Sequence, residues 1–316
     1  MYFVTVEELV NHLELENLVP DIPYKNRKIT VCDVNRPALQ LAGFFKNFDS
    51  DRVQILGKVE SDFLKEIEDS KERQQRIEKF MEHKEIPCII ICLEEVEIDL
   101  HMLCCALQSG IPLFKSKLPT STLLAEVNRW LQEKLAPRVT RHGILVDVYG
   151  EGVLIMGESG IGKSEAALEL VRRGHRLVAD DAVEIRKMAS NKLLGMAPEI
   201  TRYFIEVRGI GIVDVKELYG AGAVKEKKRI DLVVKLEPYV EGSDKDRLGL
   251  EEEFTNILGV DIPTNTILIR PGRNIAILCE IAAVNFREKK MGYNAAQVLA
   301  QRVEESIMAN SGQNHL

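Results

Sequence analysis

Eight residues near the middle of the chain, Gly157-Glu158-Ser159-Gly160-Ile161-Gly162-Lys163-Ser164, constrain its fold more than any other stretch. They follow the apolar run Val153-Leu154-Ile155-Met156 and precede the helical pattern Ala166-Ala167-Leu168-Glu169-Leu170-Val171. Strand, glycine loop and helix at the spacing G-x-x-x-x-G-K-S is the pattern of a phosphate-binding P-loop. Glycines let the backbone turn its N–H groups inward around phosphate oxygens, and the helix that starts there points its positive end at them. Lys163 then reaches the outer phosphates of a nucleoside triphosphate, and the Ser164 hydroxyl takes a place at Mg²⁺.

Features on either side restrict the loop further. Upstream, Ile144-Leu145-Val146-Asp147-Val148-Tyr149, then Gly150-Glu151-Gly152, then the apolar run form a β-hairpin signature. The P-loop strand is therefore fed by a hairpin, unlike the common P-loop NTPases with their parallel βα repeats. Downstream, Arg176-Leu177-Val178-Ala179-Asp180-Asp181 is a short apolar strand ending in carboxylates. Such a strand supplies an Mg²⁺ ligand or a base in phosphoryl transfer. The spacing leaves room for a helix and one turn, so Asp180 and Asp181 are expected beside the loop, on opposite faces if the strand continues. The same pair also suits a plain turn at a strand end.

Farther on, Phe204 to Val215 carries Glu206 and Arg208 in a strand that runs into Gly209 and Gly211. Glu206 is a candidate metal ligand, and the glycine backbone permits close approach to a ligand; an edge-strand charge pair before a turn reads equally from these residues. Arg270-Pro271-Gly272-Arg273-Asn274 puts two arginines around a turn just ahead of a helix, a favourable place for anion contact. His142, next to Gly143 at a strand start, reads as readily as a structural histidine as a functional one.

The 316 residues suffice for two domains. Lys134-Leu135-Ala136-Pro137-Arg138 is the link, because proline ends a helix there; the expected domains are 1–132 and 133–316. In the first, strands at Lys28–Cys32, Val53–Gly57, Cys88–Leu93 and Leu113–Lys115 alternate with helices, which implies an α/β domain with a mostly parallel sheet covered on both faces. Ser61 is expected to cap one long charged helix running to about His83. This half holds no phosphate loop, triad or metal set, and a regulatory or assembly role is its default. A net charge of −7 argues against broad binding to nucleic acid or anionic membrane. No apolar run reaches membrane-spanning length, and the start lacks a basic segment ahead of an apolar core. The six cysteines include no C-x-x-C and read as reduced thiols of a cytosolic protein.

Taken in order, Gly157 to Ser164, Val178-Ala179-Asp180-Asp181, Ile205-Glu206-Val207-Arg208-Gly209-Ile210-Gly211-Ile212 and Ile269-Arg270-Pro271-Gly272-Arg273-Asn274 closely resemble the bacterial HPr kinase/phosphorylase family. The spacing from His142 to Lys163 matches too. The P-loop alone names only a superfamily; the E-V-R-G-I-G-I and R-P-G-R-N segments make the resemblance specific. It implies a C-terminal P-loop kinase domain similar in fold to phosphoenolpyruvate carboxykinase, a cytoplasmic homohexamer, and a role in carbon catabolite regulation. It also implies two reactions at one site. One moves the γ-phosphate of ATP to a regulatory serine of the phosphocarrier protein HPr; the other uses inorganic phosphate to remove it, releasing pyrophosphate. By resemblance, residues 157–164 bind ATP, Ser164 and Glu206 hold Mg²⁺, and Asp181 takes the serine proton and returns it in reverse. Asp180 assists beside it, and His142, Lys163 and Arg247 complete the catalytic set. The segment with Arg208, Gly209 and Gly211 serves both reactions, and the one with Arg270 and Arg273 serves dephosphorylation more. Two other readings stay open: a small-molecule kinase on the same scaffold, and a nucleotide-sensing module without turnover, which needs the P-loop but no base.

Overall fold

A computed structural model describes residues 2–92, 98–188, 191–240, 252–270 and 272–313. The chain forms two units, Met1–Ala136 and Pro137–Leu316.

In the first unit β1 (Val4–Thr5) leads into α1 (Val6–Leu13), whose Thr5 and Glu8 form a capping box. The short strands β2 (Glu16–Asn17), β3 (Lys28–Ile29) and β4 (Val34–Asn35) follow. Next come α2 (Ala38–Leu41), β5 (Val53–Leu56), α3 (Lys58–Glu66), α4 (Ser70–Met81), β6 (Ile89–Cys92), α5 (Leu100–Ser109), β7 (Leu113–Ser116) and α6 (Thr120–Leu135). The main sheet has the order β2-β7-β6-β5-β4, parallel except at the β2 edge. Its strands alternate between two cores, as strand geometry requires. Ile89 and Ile91 pack with Leu64, Phe80 and Met102 of α3, α4 and α5, while Ile90 and Cys92 pack with Leu9 of α1 and Val127 of α6. The mostly parallel, doubly covered sheet expected from the alternation is present.

The long helix expected from Ser61 is two helices. Glu60 turns back to accept the Gly57 N–H at 2.8 Å and starts α3 ahead of Ser61. Asp69 accepts the Lys71 N–H at 2.9 Å and starts α4. The break falls at Ile67–Asp69, where Ile67 turns extended and packs against the core, while the polar stretch Ser70–Arg76 forms the first turns of α4.

The second unit begins with β8 (Arg138–His142), β9 (Ile144–Val148) and β10 (Glu151–Gly157). Then come α7 (Lys163–Arg172), β11 (Arg176–Ala179), β12 (Ala182–Lys187), β13 (Leu193–Met196), β14 (Phe204–Val207), β15 (Gly211–Asp214) and α8 (Val215–Tyr219). The rest is β16 (Lys227–Arg229), β17 (Leu232–Pro238), β18 (Glu253–Ile257), β19 (Val260–Ile269), α9 (Ile275–Lys290) and α10 (Ala295–Gln313). β9 and β10 are the expected hairpin. Its turn residues Tyr149 and Gly150 have φ of 50° and 90°, the left-handed pair whose twist matches that of the strands. The large sheet has the order β11-β9-β10-β17-β19-β18. β10, β17 and β19 run parallel, so their carboxyl ends share one edge with the glycine loop. Leu170 of α7 and Cys279 of α9 cover one face against Val146, Val153 and Val234. The other face carries a smaller sheet, β16-β13-β12-β8, through Val183, Ile185 and Leu193 on Leu145 and Leu154.

Burial pushes the Cys88 and Cys279 thiols up to about 12, so these two act as packing groups and not as nucleophiles. Among the described residues no helix is long and apolar enough to cross a membrane.

Asp147 of β9 is buried, and its carboxylate accepts Lys225 Nζ at 2.8 Å with Lys228 Nζ at 3.5 Å. Burial alone would raise its pKa, but the two ammonium groups overcome that and hold it below the usual carboxylate range. The folded state therefore binds this proton more weakly than the unfolded chain. The resulting stability is present above the unfolded carboxylate range and is lost as pH falls through the depressed native value. Asp147→Asn is expected to destabilise the unit by roughly 1–3 kcal/mol at pH 7, the exposure of Lys225 moderating the loss. The difference should shrink toward pH 3. Urea unfolding at both pH values measures this, and an equal loss at both would contradict it.

Candidate active site

β10 ends at Gly157 and α7 starts at Lys163. Between them Gly160 and Gly162 have φ of 87° and 100°, a region open to glycine without strain. A Cβ on Gly160 would also come within 2.6 Å of Arg208 Nη1. Arg208 thus lies directly on the loop, and its Nη2 donates to Ser159 Oγ at 3.2 Å. Lys163 is 7% exposed, and its ammonium donates to the carbonyl oxygens of Gly157 and Glu158 at 2.8 Å each. Burial lowers its pKa, and the charges of Asp181 and Asp180 act against that shift.

The two aspartates do not alternate along a strand. β11 stops at Ala179, Asp181 has a φ of 61°, and the Ala182 N–H donates to the Asp180 carbonyl at 2.7 Å. The chain kinks there while β11 and β12 keep their antiparallel pairing with β9 and β8, and both carboxylates line one cavity instead of lying on the opposite faces expected of a continuing strand. Nor is β11 the neighbour of the loop strand, since β9 lies between β11 and β10, antiparallel to each.

The environments of the pair differ. Asp180 is 6% exposed. Its Oδ1 accepts the Ser164 hydroxyl at 3.3 Å, and its Oδ2 accepts the Glu206 N–H at 3.0 Å. Burial raises its pKa, and these hydrogen bonds oppose the rise. Asp180 therefore ties the start of α7 to β14. Asp181 is 73% exposed at its side chain and meets His142 Nδ1 at 2.8 Å. The smaller sheet creates that meeting: His142 is the register partner of Ala182, and the Gly143 N–H donates to the Asp181 carbonyl at 3.0 Å.

Glu206 sits on a hairpin. The stretch expected as one strand running into glycines folds back, with Glu206 opposite Ile212 and a turn through Gly209, φ 81°. Gly211, φ 103°, opens β15. A cavity of about 110 Å³ is lined by His142, Lys163, Ser164, Asp180, Asp181, Glu206 and Arg208. Glu165, in the first turn of α7, lines it too and was not singled out from the sequence. Its signal was its position directly after Ser164.

The Ser164 hydroxyl and the Asp180 and Glu206 carboxylates are hard oxygen donors, the chemistry Mg²⁺ selects when it takes its other ligands from phosphates and water. Among the described residues no group of three or more His, Cys, Asp or Glu could hold a metal by itself. The donor set therefore fits an ion accompanied by phosphate oxygens better than a closed protein cage.

Arg270 and Arg273 do not line the cavity. The Arg270 guanidinium stacks 3.5 Å from the Tyr239 ring centroid, and Arg273 Nη1 donates to the Leu268 carbonyl at 3.2 Å. Their segment is nevertheless close, because Ile275 Cδ1 is 3.1 Å from the position a Cβ on Gly162 would take. Arg247 and Pro271 lie outside the described residues.

Two family models match the chain, the HPr Serine kinase N terminus over residues 4–131 and the HPr Serine kinase C-terminal domain over residues 133–303. An HPr kinase/phosphorylase of Lachnoclostridium phytofermentans is 53% identical over 311 residues, covering 98% of this chain and 100% of that protein. One from Caldicellulosiruptor bescii is 49% identical over 312 residues, covering 99% of each. A solved structure of the Hpr(Ser) kinase/phosphatase from Coxiella burnetii is 35% identical, with a TM-score of 0.47 over 51% of this chain and 98% of that one.

Proposed function

This chain belongs to the HPr serine kinase family, and on that premise we propose how its cavity moves a phosphoryl group in two directions. The chain is a protein-serine kinase that phosphorylates HPr from ATP, and a phosphorylase that returns the phosphoryl group to inorganic phosphate as pyrophosphate. The observation that carries the reading is the convergence of Lys163, Ser164, Glu206 and the His142–Asp181 pair on one cavity.

In the forward direction the Asp181 carboxylate takes the proton of the HPr serine hydroxyl as its oxygen attacks the γ-phosphorus and ADP leaves. His142 holds Asp181 toward the cavity. Lys163 neutralises the β- and γ-phosphates, and Arg208, resting on Gly160, adds charge from above the loop. Ser164 and Glu206 would hold Mg²⁺, with Asp180 fixing both; bound there, the ion neutralises charge on the phosphates. In reverse, an oxygen of hydrogen phosphate attacks the phosphoserine phosphorus, and the serine oxygen leaves with a proton from Asp181. That proton is replaced by the one the incoming phosphate loses. Arg247 belongs to this catalytic set, and Arg270 and Arg273 serve the entry of phosphate. A homohexamer acting in the cytoplasm, in carbon catabolite regulation, completes the proposal and comes from the family resemblance. A sensor without turnover has no use for Asp181, an exposed carboxylate held by a histidine beside the phosphate loop.

Incubating the chain with HPr, Mg²⁺ and γ-labelled ATP tests the forward half. Label on an HPr serine is expected. Tight ATP binding with no label on HPr would leave the sensor or small-molecule kinase instead.

A further inference from the structure

The first unit holds a cavity of about 490 Å³, separate in sequence and in fold from the phosphate loop. Leu56 closes β5, and Ile91 stands opposite it on β6, at the carboxyl end of two parallel strands. Leu64 of α3 and Met102 of α5 complete the apolar lining, and all four side chains are members of the unit's core. Protein cores are packed as densely as organic crystals, with few voids larger than a water molecule. A cavity of this size that reaches core side chains at the carboxyl edge of a parallel sheet is where open α/β domains take ligands.

Ser61, Lys65, Arg73, Asp99 and His101 are the polar side chains of the lining, and two of them suit an anion. Ser61 of α3 offers a hydroxyl, and Arg73 of α4 offers a guanidinium. Arg73 Nε is buried without a hydrogen bond, although Asp99 Oδ2 lies 3.3 Å away. Asp99 is already engaged as the N-cap of α5, accepting the His101 N–H at 2.8 Å. Its charge balances Arg73 while leaving most of the guanidinium donors unused, and such a fork matches a carboxylate or a phosphate. Asp99 is also the only carboxylate among the described lining residues. We propose that this cavity binds a small amphipathic anion, a carboxylate or phosphate ester on an apolar or aromatic body. The anion rests on Arg73 and Ser61, and the body rests among Leu56, Leu64, Ile91 and Met102.

Calorimetric titration of the full chain with 2-naphthoate and with 2-naphthyl phosphate tests this, since the probes share a body and differ in the anion. Binding of at least one probe at one site per chain is expected. Arg73→Gln should weaken it at least tenfold, Ser61→Ala severalfold, and Leu64→Trp, which fills the cavity, should remove it. Lys163→Ala should leave it unchanged, because no residue is shared with the phosphate loop. Hydrogen exchange should slow over residues 58–66 and 70–81 on binding. If only one probe binds, that identifies the anion the fork accepts. Failure of both probes at millimolar concentration overturns the proposal. So does binding that survives Arg73→Gln and Ser61→Ala but disappears in Lys163→Ala. Transfer to HPr is scored separately, so either reading can fail alone.

Discussion

Asp181→Asn is expected to leave ATP binding intact and to cut phosphoryl transfer in both directions by roughly 10²–10⁴-fold, about 3–5 kcal/mol of barrier. The substitution is chosen for its backbone. Asp181 has a φ of 61°, a left-handed conformation that asparagine tolerates and alanine adopts only with strain. Asparagine also retains the volume and a polar contact with His142 Nδ1, now 2.8 Å from the carboxylate. What it removes is the capacity to take up a proton. The loss should therefore appear in kcat and not in KM for ATP, and equally in the kinase and phosphorylase reactions, because one group carries the proton both ways. Full kinase activity in this variant would remove Asp181 from the mechanism.

Lys163→Ala has a different signature. Lys163 is 7% exposed and its ammonium is held by the carbonyls of Gly157 and Glu158, so it both carries charge and braces the loop. A charge-assisted hydrogen bond contributes about 1.5–3 kcal/mol, and loss of more than one predicts ATP affinity falling by on the order of 10²-fold or more. Stabilisation of the chain by ATP should disappear with it. Titration of ATP into the variant, alongside its thermal unfolding without ligand, gives the answer. Unchanged affinity would refute the assignment of Gly157 to Ser164 as the phosphate cradle. The two variants separate rate from binding: Asp181→Asn spares affinity, and Lys163→Ala does not.

The parts of this site that are local in sequence were legible there. Gly157 to Ser164 declares a strand, a loop and a helix because its glycines, its lysine and the flanking apolar runs are contiguous. Gly150-Glu151-Gly152 declares the hairpin for the same reason, although the turn falls at Tyr149-Gly150 and Glu151 and Gly152 already belong to β10. The parts made by long-range pairing were not legible. Nothing near His142 says that β8 will pair with β12, yet that pairing is what brings its ring to Asp181. The insertion of β9 between β10 and β11 was equally hidden, because sheet order depends on which edges meet. Asp180 and Asp181 read from sequence as successive residues at a strand end, on opposite faces if the strand continued or in a plain turn if it did not. The left-handed backbone of Asp181 put both carboxylates on one cavity, Asp180 buried and tied to the Glu206 N–H, Asp181 exposed and held by His142. In the first unit the α/β alternation was plain, but the break between α3 and α4 required seeing that Glu60 and Asp69 each satisfy a helix start.

The central claim is that one cavity runs the transfer forward and backward with the same groups. Its most direct test is to supply serine-phosphorylated HPr, Mg²⁺ and inorganic phosphate, without nucleotide, and to quantify pyrophosphate against dephosphorylated HPr. Equal amounts of the two are expected, with both lost in Asp181→Asn. Dephosphorylation that yields free phosphate and no pyrophosphate would mean that water is the acceptor, and would contradict it.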